Sequence, residues 1–174
     1  CPATDVEPVY ERVLLDRKDD KKYISTGIEW WDLFSRRLRT GNTYTLAGYP
    51  GVGKTTFALN LAWSLAKTHK VWYYCVEMTA AEIFEVLSGH IVKNADYSKE
   101  EESMAYCKMK ERKFYFYDPK GFVPWRKRLN EILLTVRNEG IEVVFVDNLS
   151  FLIRDERNTS EVEAMASAEI KGLA

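Results

Sequence analysis

Between Gly48 and Thr55 the chain reads GYPGVGKT. Glycines at 48 and 53, followed at once by a lysine and a threonine, fit the pattern G-x-x-x-x-G-K-[ST] at every position. Each residue type has a task in binding a nucleotide. The glycines let the backbone wrap tightly, so that successive N–H groups converge on phosphate oxygens. A helix beginning near Lys54 adds its positive N-terminal end. Lys54 reaches the β and γ phosphates as a mobile charge, and the Thr55 hydroxyl ligates Mg²⁺. The stretch assigned to the nucleotide comprises Gly48, Pro50, Gly51, Val52, Gly53, Lys54, Thr55 and Thr56. The alternative is a chance match in a turn. Against it, the motif lies between an apolar run and an amphipathic stretch, the context its mechanism demands.

Two carboxylates complete the chemistry. Val143-Val-Phe-Val146 runs directly into Asp147, as a Walker B strand runs into the acid that helps hold the metal. A strand-terminal Asp is common by itself and gains meaning only from the cradle. Val71–Val76 runs likewise into Glu77. In a parallel sheet both acids emerge at the C-terminal edge, where ligands bind in open α/β folds. The residue after Asp147 is Asn148 rather than a second acid, which leaves Glu77 as the candidate base for an attacking water. Geometry decides that role before pKa does. The plainer alternative is that Glu77 caps the helix after it.

The elements that must position these residues alternate along the chain. Tyr44–Ala47 reads as a strand stopped by Gly48, and Thr55–Ala66 as a helix with Phe57, Leu61 and Leu65 on one face. Val71–Val76 is a continuous β-prone run, the mark of a strand buried on both faces. Thr79 and Glu82 form a capping box before AAEIFEVL, and Lys93–Arg112 begins as an exposed loop leading into a helix. Phe114–Tyr117 is a third β-prone run, Trp125–Asn138 a helix bearing Leu129, Ile132, Leu133 and Val136, and Val143–Val146 a fourth strand. Earlier, Ile28, Trp31, Leu33 and Phe34 are expected to line one helical face. Ser160 to Ala174 predicts a last helix, with Ser160 and Glu163 as a second box. Strands separated by helices need crossover connections, so the expected fold is α/β, a mainly parallel sheet with helices on both faces. Residues 1–24, ending in a charged run, are read as a lead-in or linker and 25–174 as the core.

Composition narrows the function classes. The 174 residues carry 25 Lys plus Arg against 26 Asp plus Glu, so global charge does not advertise a nucleic-acid binder. The clusters Arg36-Arg37-Leu38-Arg39 and Arg126-Lys127-Arg128 are read as solvated faces. No apolar run approaches the roughly 20 residues that span a bilayer, and no signal pattern opens the chain; a cytoplasmic, non-membrane protein is expected. Three widely spaced cysteines form no disulfide framework or metal pair, and Cys75 is expected to be buried filler.

Several segments are similar to DnaB-type replicative helicases, a branch of the RecA-like P-loop ATPases. VEMTAAEI at 76–83 resembles their SLEM segment. STGIEWWDLF at 25–34 resembles the lead-in to their cradle, AGYPGVGKTTFALNLA at 47–62 the cradle and its helix, VFVDNLSFL at 144–152 the Walker B strand, and EIKGLA at 169–174 the helix after it. The resemblance runs in order from about Ser25 to Ala174. It implies a homo-hexameric ring around single-stranded DNA, driven by ATP and Mg²⁺ at subunit interfaces. By matching position, Lys54 and Thr55 bind phosphate and metal, Glu77 polarises the water, and Asp147 holds the metal through its water shell. Some members carry an Arg near the place of Val86. The family also continues past the equivalent of Ala174 into a strand bearing a polar sensor, DNA-contacting loops and an arginine finger. That strand lies between the cradle strand and the Walker B strand. The chain is therefore expected to be the N-terminal portion of a longer one, with weak hydrolysis alone, since an arginine finger contributes roughly 10³–10⁵ in rate.

Other functions share these motifs. A RecA- or KaiC-like ATPase forms filaments or regulatory rings without unwinding. A nucleotide or small-molecule kinase needs an acceptor pocket and an Arg-rich lid, which the segment after Glu77 does not display. A pure binding module would tolerate loss of Glu77. Trp30, Trp31 and Trp125 are able to stack on bases, although core packing accounts for most aromatics at 13% of the chain.

Overall fold

Five consecutive apolar or aromatic residues without polar alternation belong in the middle of a sheet, and every residue of Val71–Cys75 is buried. The computed structural model describes residues 11, 15, 22–35, 37–94, 96–117, 124–148 and 168. In chain order its elements are β1 (Tyr23–Ile24), α1 (Glu29–Ser35), β2 (Leu38–Arg39), α2 (Lys54–Leu65), β3 (Val71–Cys75), α3 (Ala80–Val92), α4 (Lys99–Lys110), β4 (Phe114–Phe116), α5 (Trp125–Glu139) and β5 (Val143–Asp147). β3 is the centre of a three-stranded sheet of order β4-β3-β5, parallel throughout. Val71 sits opposite Phe114 on one side and Val143 on the other, and Cys75 opposite Asp147.

Side chains alternate across β3 and feed two cores. Val71, Tyr73 and Cys75 pack with Leu59, Leu65 and Ile83 from α2 and α3. Trp72 and Tyr74 face the other way, onto Leu129 and Ile132 of α5 and Ile141. Helices therefore cover both faces, as the alternating elements predict. Each fully buried side chain such as Leu59 or Ile83 contributes about 1.5–3 kcal/mol. α4 packs on α3. Its start is fixed by a capping box, Ser98 with Glu101, inside the stretch that sequence reading assigns to an exposed loop.

The expected strand Tyr44–Ala47 is not a strand. Residues 42–49 have no regular secondary structure and are exposed. The reason is pairing: a cleft of about 730 Å³ separates Tyr44 and Leu46 from Val143–Asp147, so the run meets no ladder partner among the described residues. A second departure concerns Ile28–Phe34. Only part of that apolar set turns inward: Trp31 packs on Phe57, with ring centroids 5.5 Å apart, while Leu33 and Phe34 are exposed. The basic cluster on α5 also splits, because Arg128 is 7% exposed whereas Arg126 and Lys127 face solvent. Of the expected helix from Ser160 to Ala174 only Ala168, which is helical, falls among the described residues. Among the described residues no helix is long and apolar enough to cross a membrane.

Candidate functional site

The cradle is shaped by left-handed backbone at its glycines. Gly51 has φ 78° and Gly53 φ 88°, a region L side chains rarely adopt. Gly53 is also the N-cap of α2, and no side chain caps this helix start. The contrast with α3 and α4 is sharp, since both of those begin with complete capping boxes. With neither a side-chain cap nor an acid in its first turn, α2 presents the positive end of its dipole to whatever lies beyond Gly53. Lys54 Nζ donates a 2.8 Å hydrogen bond to the carbonyl of Tyr49, folding back over the loop. Gly48 is close-packed: a Cβ there would stand 3.1 Å from Val52 Cγ2. A polyphosphate fits this donor set, because the backbone is curled, the helix end is uncapped and the ammonium is already held over the loop.

The carboxylates arrive from the sheet. Asp147 closes β5, and Glu77 lies two residues beyond Cys75, the register partner of Asp147 on β3. Val76 N donates to Asp147 O at 3.1 Å, so pairing persists one residue past the strand end. Asn148, joined to Asp147 by a cis peptide, donates from Nδ2 to Glu77 Oε2 at 2.9 Å. On the other side, the Tyr73 hydroxyl donates to Asp147 Oδ2 at 2.8 Å. Burial, reinforced by the Asp147 charge and this bond, holds the Tyr73 phenol well above its ordinary pKa, so it stays a donor. Burial likewise raises the Cys75 thiol, which accepts from Met78 N and is filler as expected. The cap of α3 is supplied by Thr79 and Glu82, which removes the reading of Glu77 as a helix cap. Lys54 and Asp147 line the same cleft, whereas Thr55 and Glu77 do not line it.

The segment 25–34 is locked on itself and packs against the cradle helix. Asp32 on α1 accepts from Ser25 Oγ at 2.6 Å, Thr26 N at 2.9 Å and Thr26 Oγ1 at 2.7 Å. Burial raises the Asp32 carboxyl, but these hydrogen bonds outweigh it and hold the group below its ordinary pKa. Gly27, at φ 71°, passes so close to α2 that a Cβ would lie 2.5 Å from Ser64 Oγ. Tyr23–Ile24 pairs antiparallel with Leu38–Arg39. The roles of Tyr73, Asn148 and Asp32 were missed by sequence reading. Only Asp32 had a signal, its place in the STGIEWWDLF segment. Tyr73 looks like any core aromatic, and nothing local marks Asn148 as the partner of Glu77.

The profile of the DnaB-like helicase C terminal domain matches residues 23–174. A probable plasmid replicative DNA helicase of Chlamydia trachomatis serovar L2 is 29% identical over 151 residues, covering 79% of this chain and 33% of that protein. The replicative DNA helicase DnaB of Pasteurella multocida is 28% identical over 170 residues, covering 87% of this chain and 36% of that protein. The chain thus spans about a third of the length of these curated relatives. Among solved structures, a DnaB-like replicative helicase studied for its interactions with primase superposes with a TM-score of 0.78 at 20% identity, over 99% of this chain and 46% of that one. A second solved structure, an ATPase domain, gives 0.71 at 20% identity, over 99% of this chain and 67% of that one. These likenesses show the RecA-like α/β fold. With the profile match covering nearly the whole sequence, the chain belongs to the DnaB-like helicase C-terminal domain family.

Proposed function

We propose that this chain is the ATP-binding and ATP-hydrolysing motor portion of a replicative DNA helicase, a ring of six copies that moves along single-stranded DNA. Residues 1–24 form the lead-in and 25–174 the ATPase core. The observation that carries the reading is a convergence. Lys54, at an uncapped helix start, lines one cleft with Asp147 at the end of β5, and Asn148, next to Asp147, donates to Glu77 at the same C-terminal edge of the parallel sheet. That edge is where open α/β folds bind ligands.

In this mechanism the loop N–H groups from Pro50 to Thr56, proline excepted, take the phosphates. Lys54 exchanges the Tyr49 carbonyl for β- and γ-phosphate oxygens, where its charge offsets the negative charge that accumulates during transfer. Thr55 and Asp147 would hold Mg²⁺, which when bound neutralises phosphate charge. Glu77 polarises a water toward the γ phosphorus and takes its proton, giving ADP and inorganic phosphate. Asn148 keeps that carboxylate beside the end of β5 until it is needed. Family membership supports single-stranded DNA as the track and a hexamer as the working assembly.

The test is ATP hydrolysis by the full-length natural protein, with and without single-stranded DNA, beside Glu77→Gln. DNA-stimulated turnover that collapses in the variant while ATP still binds is the expected result. Turnover indifferent to both DNA and Glu77 would overturn the motor assignment and favour a RecA- or KaiC-like regulatory ATPase.

A further inference from the structure

We infer that Tyr73 is a positioning residue for Asp147, setting how that carboxylate is offered to a divalent cation in the cradle. The inference rests on the proposed role of Asp147 as a metal-holding acid.

Tyr73 is the central residue of β3 and is fully buried. Its ring is stacked between those of the two flanking strands. Phe145 of β5 lies 5.7 Å away at 17°, and Phe114 of β4 lies 6.3 Å away at 22°. A ring clamped on both faces has one orientation, so its hydroxyl has one position. In register, Tyr73 faces Phe145 and Asp147 is two residues further along the same strand. Such diagonal neighbours share a face of the sheet and lie within reach of a long side chain. Tyr73 spans that diagonal and donates to Oδ2 at 2.8 Å.

Packing alone would need only the ring. Phenylalanine would fill the same space between Phe114 and Phe145, so the hydroxyl is the part that calls for a function. Its single proton engages Oδ2 and restrains rotation of the carboxylate. Oδ1, which the phenol does not engage, is then the oxygen offered to the water shell of a cation, and Asp147 shares its cleft with Lys54. The bond is also charge-assisted and partly buried, the kind that holds geometry most firmly. Without it the carboxylate is free to rotate about the Cβ–Cγ bond, and each cation that binds must first arrest that rotation.

The experiment compares full-length wild type, Tyr73→Phe, Asp147→Asn and the double variant. Mn²⁺ is the probe: free Mn²⁺ is counted by electron paramagnetic resonance in the presence of ADP, and ADP affinity is measured separately in chelator. Tyr73→Phe is expected to keep its metal-free ADP affinity and to bind Mn²⁺ roughly tenfold more weakly, the effect of one hydrogen bond to a charged group. Adding Tyr73→Phe to Asp147→Asn is expected to cost nothing more. A loss confined to the metal-dependent part separates positioning from general damage to the sheet, which would weaken ADP binding in chelator as well. Mn²⁺ binding that is unchanged or tighter in Tyr73→Phe, while Asp147→Asn weakens it, would overturn the role of Tyr73 and leave that of Asp147 standing. Mn²⁺ binding untouched by Asp147→Asn would overturn both.

Discussion

Asn148 and Glu77 sit just past the ends of two neighbouring parallel strands and are joined by a 2.9 Å hydrogen bond from Nδ2 to Oε2. The exposed carboxylate therefore has a fixed neighbour at the sheet edge. If Glu77 activates water from this position, releasing it should slow the chemical step and spare binding. Asn148→Ala is expected to lower kcat about three- to tenfold with KM for ATP unchanged, since solvent exposure brings this bond down to the roughly 0.5–1.5 kcal/mol of a typical hydrogen bond. Steady-state kinetics decide it. An unaltered kcat would show that Glu77 acts from some other position.

Gly53 offers a separation of backbone strain from ligand binding. It is left-handed at φ 88°, and a Cβ there meets nothing within 4 Å, so Gly53→Ala introduces strain without a clash. Gly140, the C-cap of α5 at φ 60°, is matched in both respects and is remote from the cradle in sequence. Each alanine is expected to cost about 1–2 kcal/mol. That corresponds to a fall in Tm of roughly 2–8 °C at about 2–4 °C per kcal/mol. Only Gly53→Ala should also weaken ADP binding. Equal losses of ADP affinity in both variants would mean that the cradle has no special need for its curled backbone.

Much of this site was legible because it is written in local terms. The cradle is a contiguous run whose glycines are demanded by φ at positions 51 and 53. The capping box at Thr79 is likewise set by residues three apart. β3 was legible because five consecutive apolar residues have no other stable home. What failed was non-local. Tyr44–Ala47 has strand composition, yet whether it becomes a strand depends on a partner across the cleft, and composition carries no information about that partner. Tyr73 and Asn148 fall in the same class. Their bonds reach across 74 and 71 residues of sequence and exist only because β3 and β5 are in register.

Thr79 and Glu77 are two residues apart and are expected to separate in their effects. Thr79 accepts the Glu82 N–H and so fixes where α3 begins. Thr79→Ala should cost about 1 kcal/mol, or a few degrees in Tm, with kcat close to wild type. Glu77→Gln should do the reverse, sparing Tm and removing turnover. Thermal unfolding and hydrolysis measured on the same preparations test the pair. A large loss of turnover in Thr79→Ala would show that the cap, by directing the chain away from β3, also sets the position of Glu77.

The Asp32 lock predicts a specific response to acid. Its hydrogen bonds from Ser25 and Thr26 favour the ionised carboxylate and hold its folded-state pKa below the ordinary value of 3.8. A depressed carboxyl binds its proton more readily in the unfolded chain, so its contribution to stability is fully present above the unfolded value. That contribution is lost as pH falls through the folded value. Asp32→Asn carries no such charge at any pH. The Tm of wild type should therefore exceed that of Asp32→Asn by a constant margin from neutral pH down to about pH 5, and the margin should shrink below about pH 4. Comparing the two proteins cancels the other carboxylates, which titrate equally in both. A margin that stays constant to pH 3 would mean that the lock holds through shape and neutral hydrogen bonds rather than through charge. In either case the packing of segment 25–34 on α2 rests on Gly27 against Ser64 and on Trp31 against Phe57.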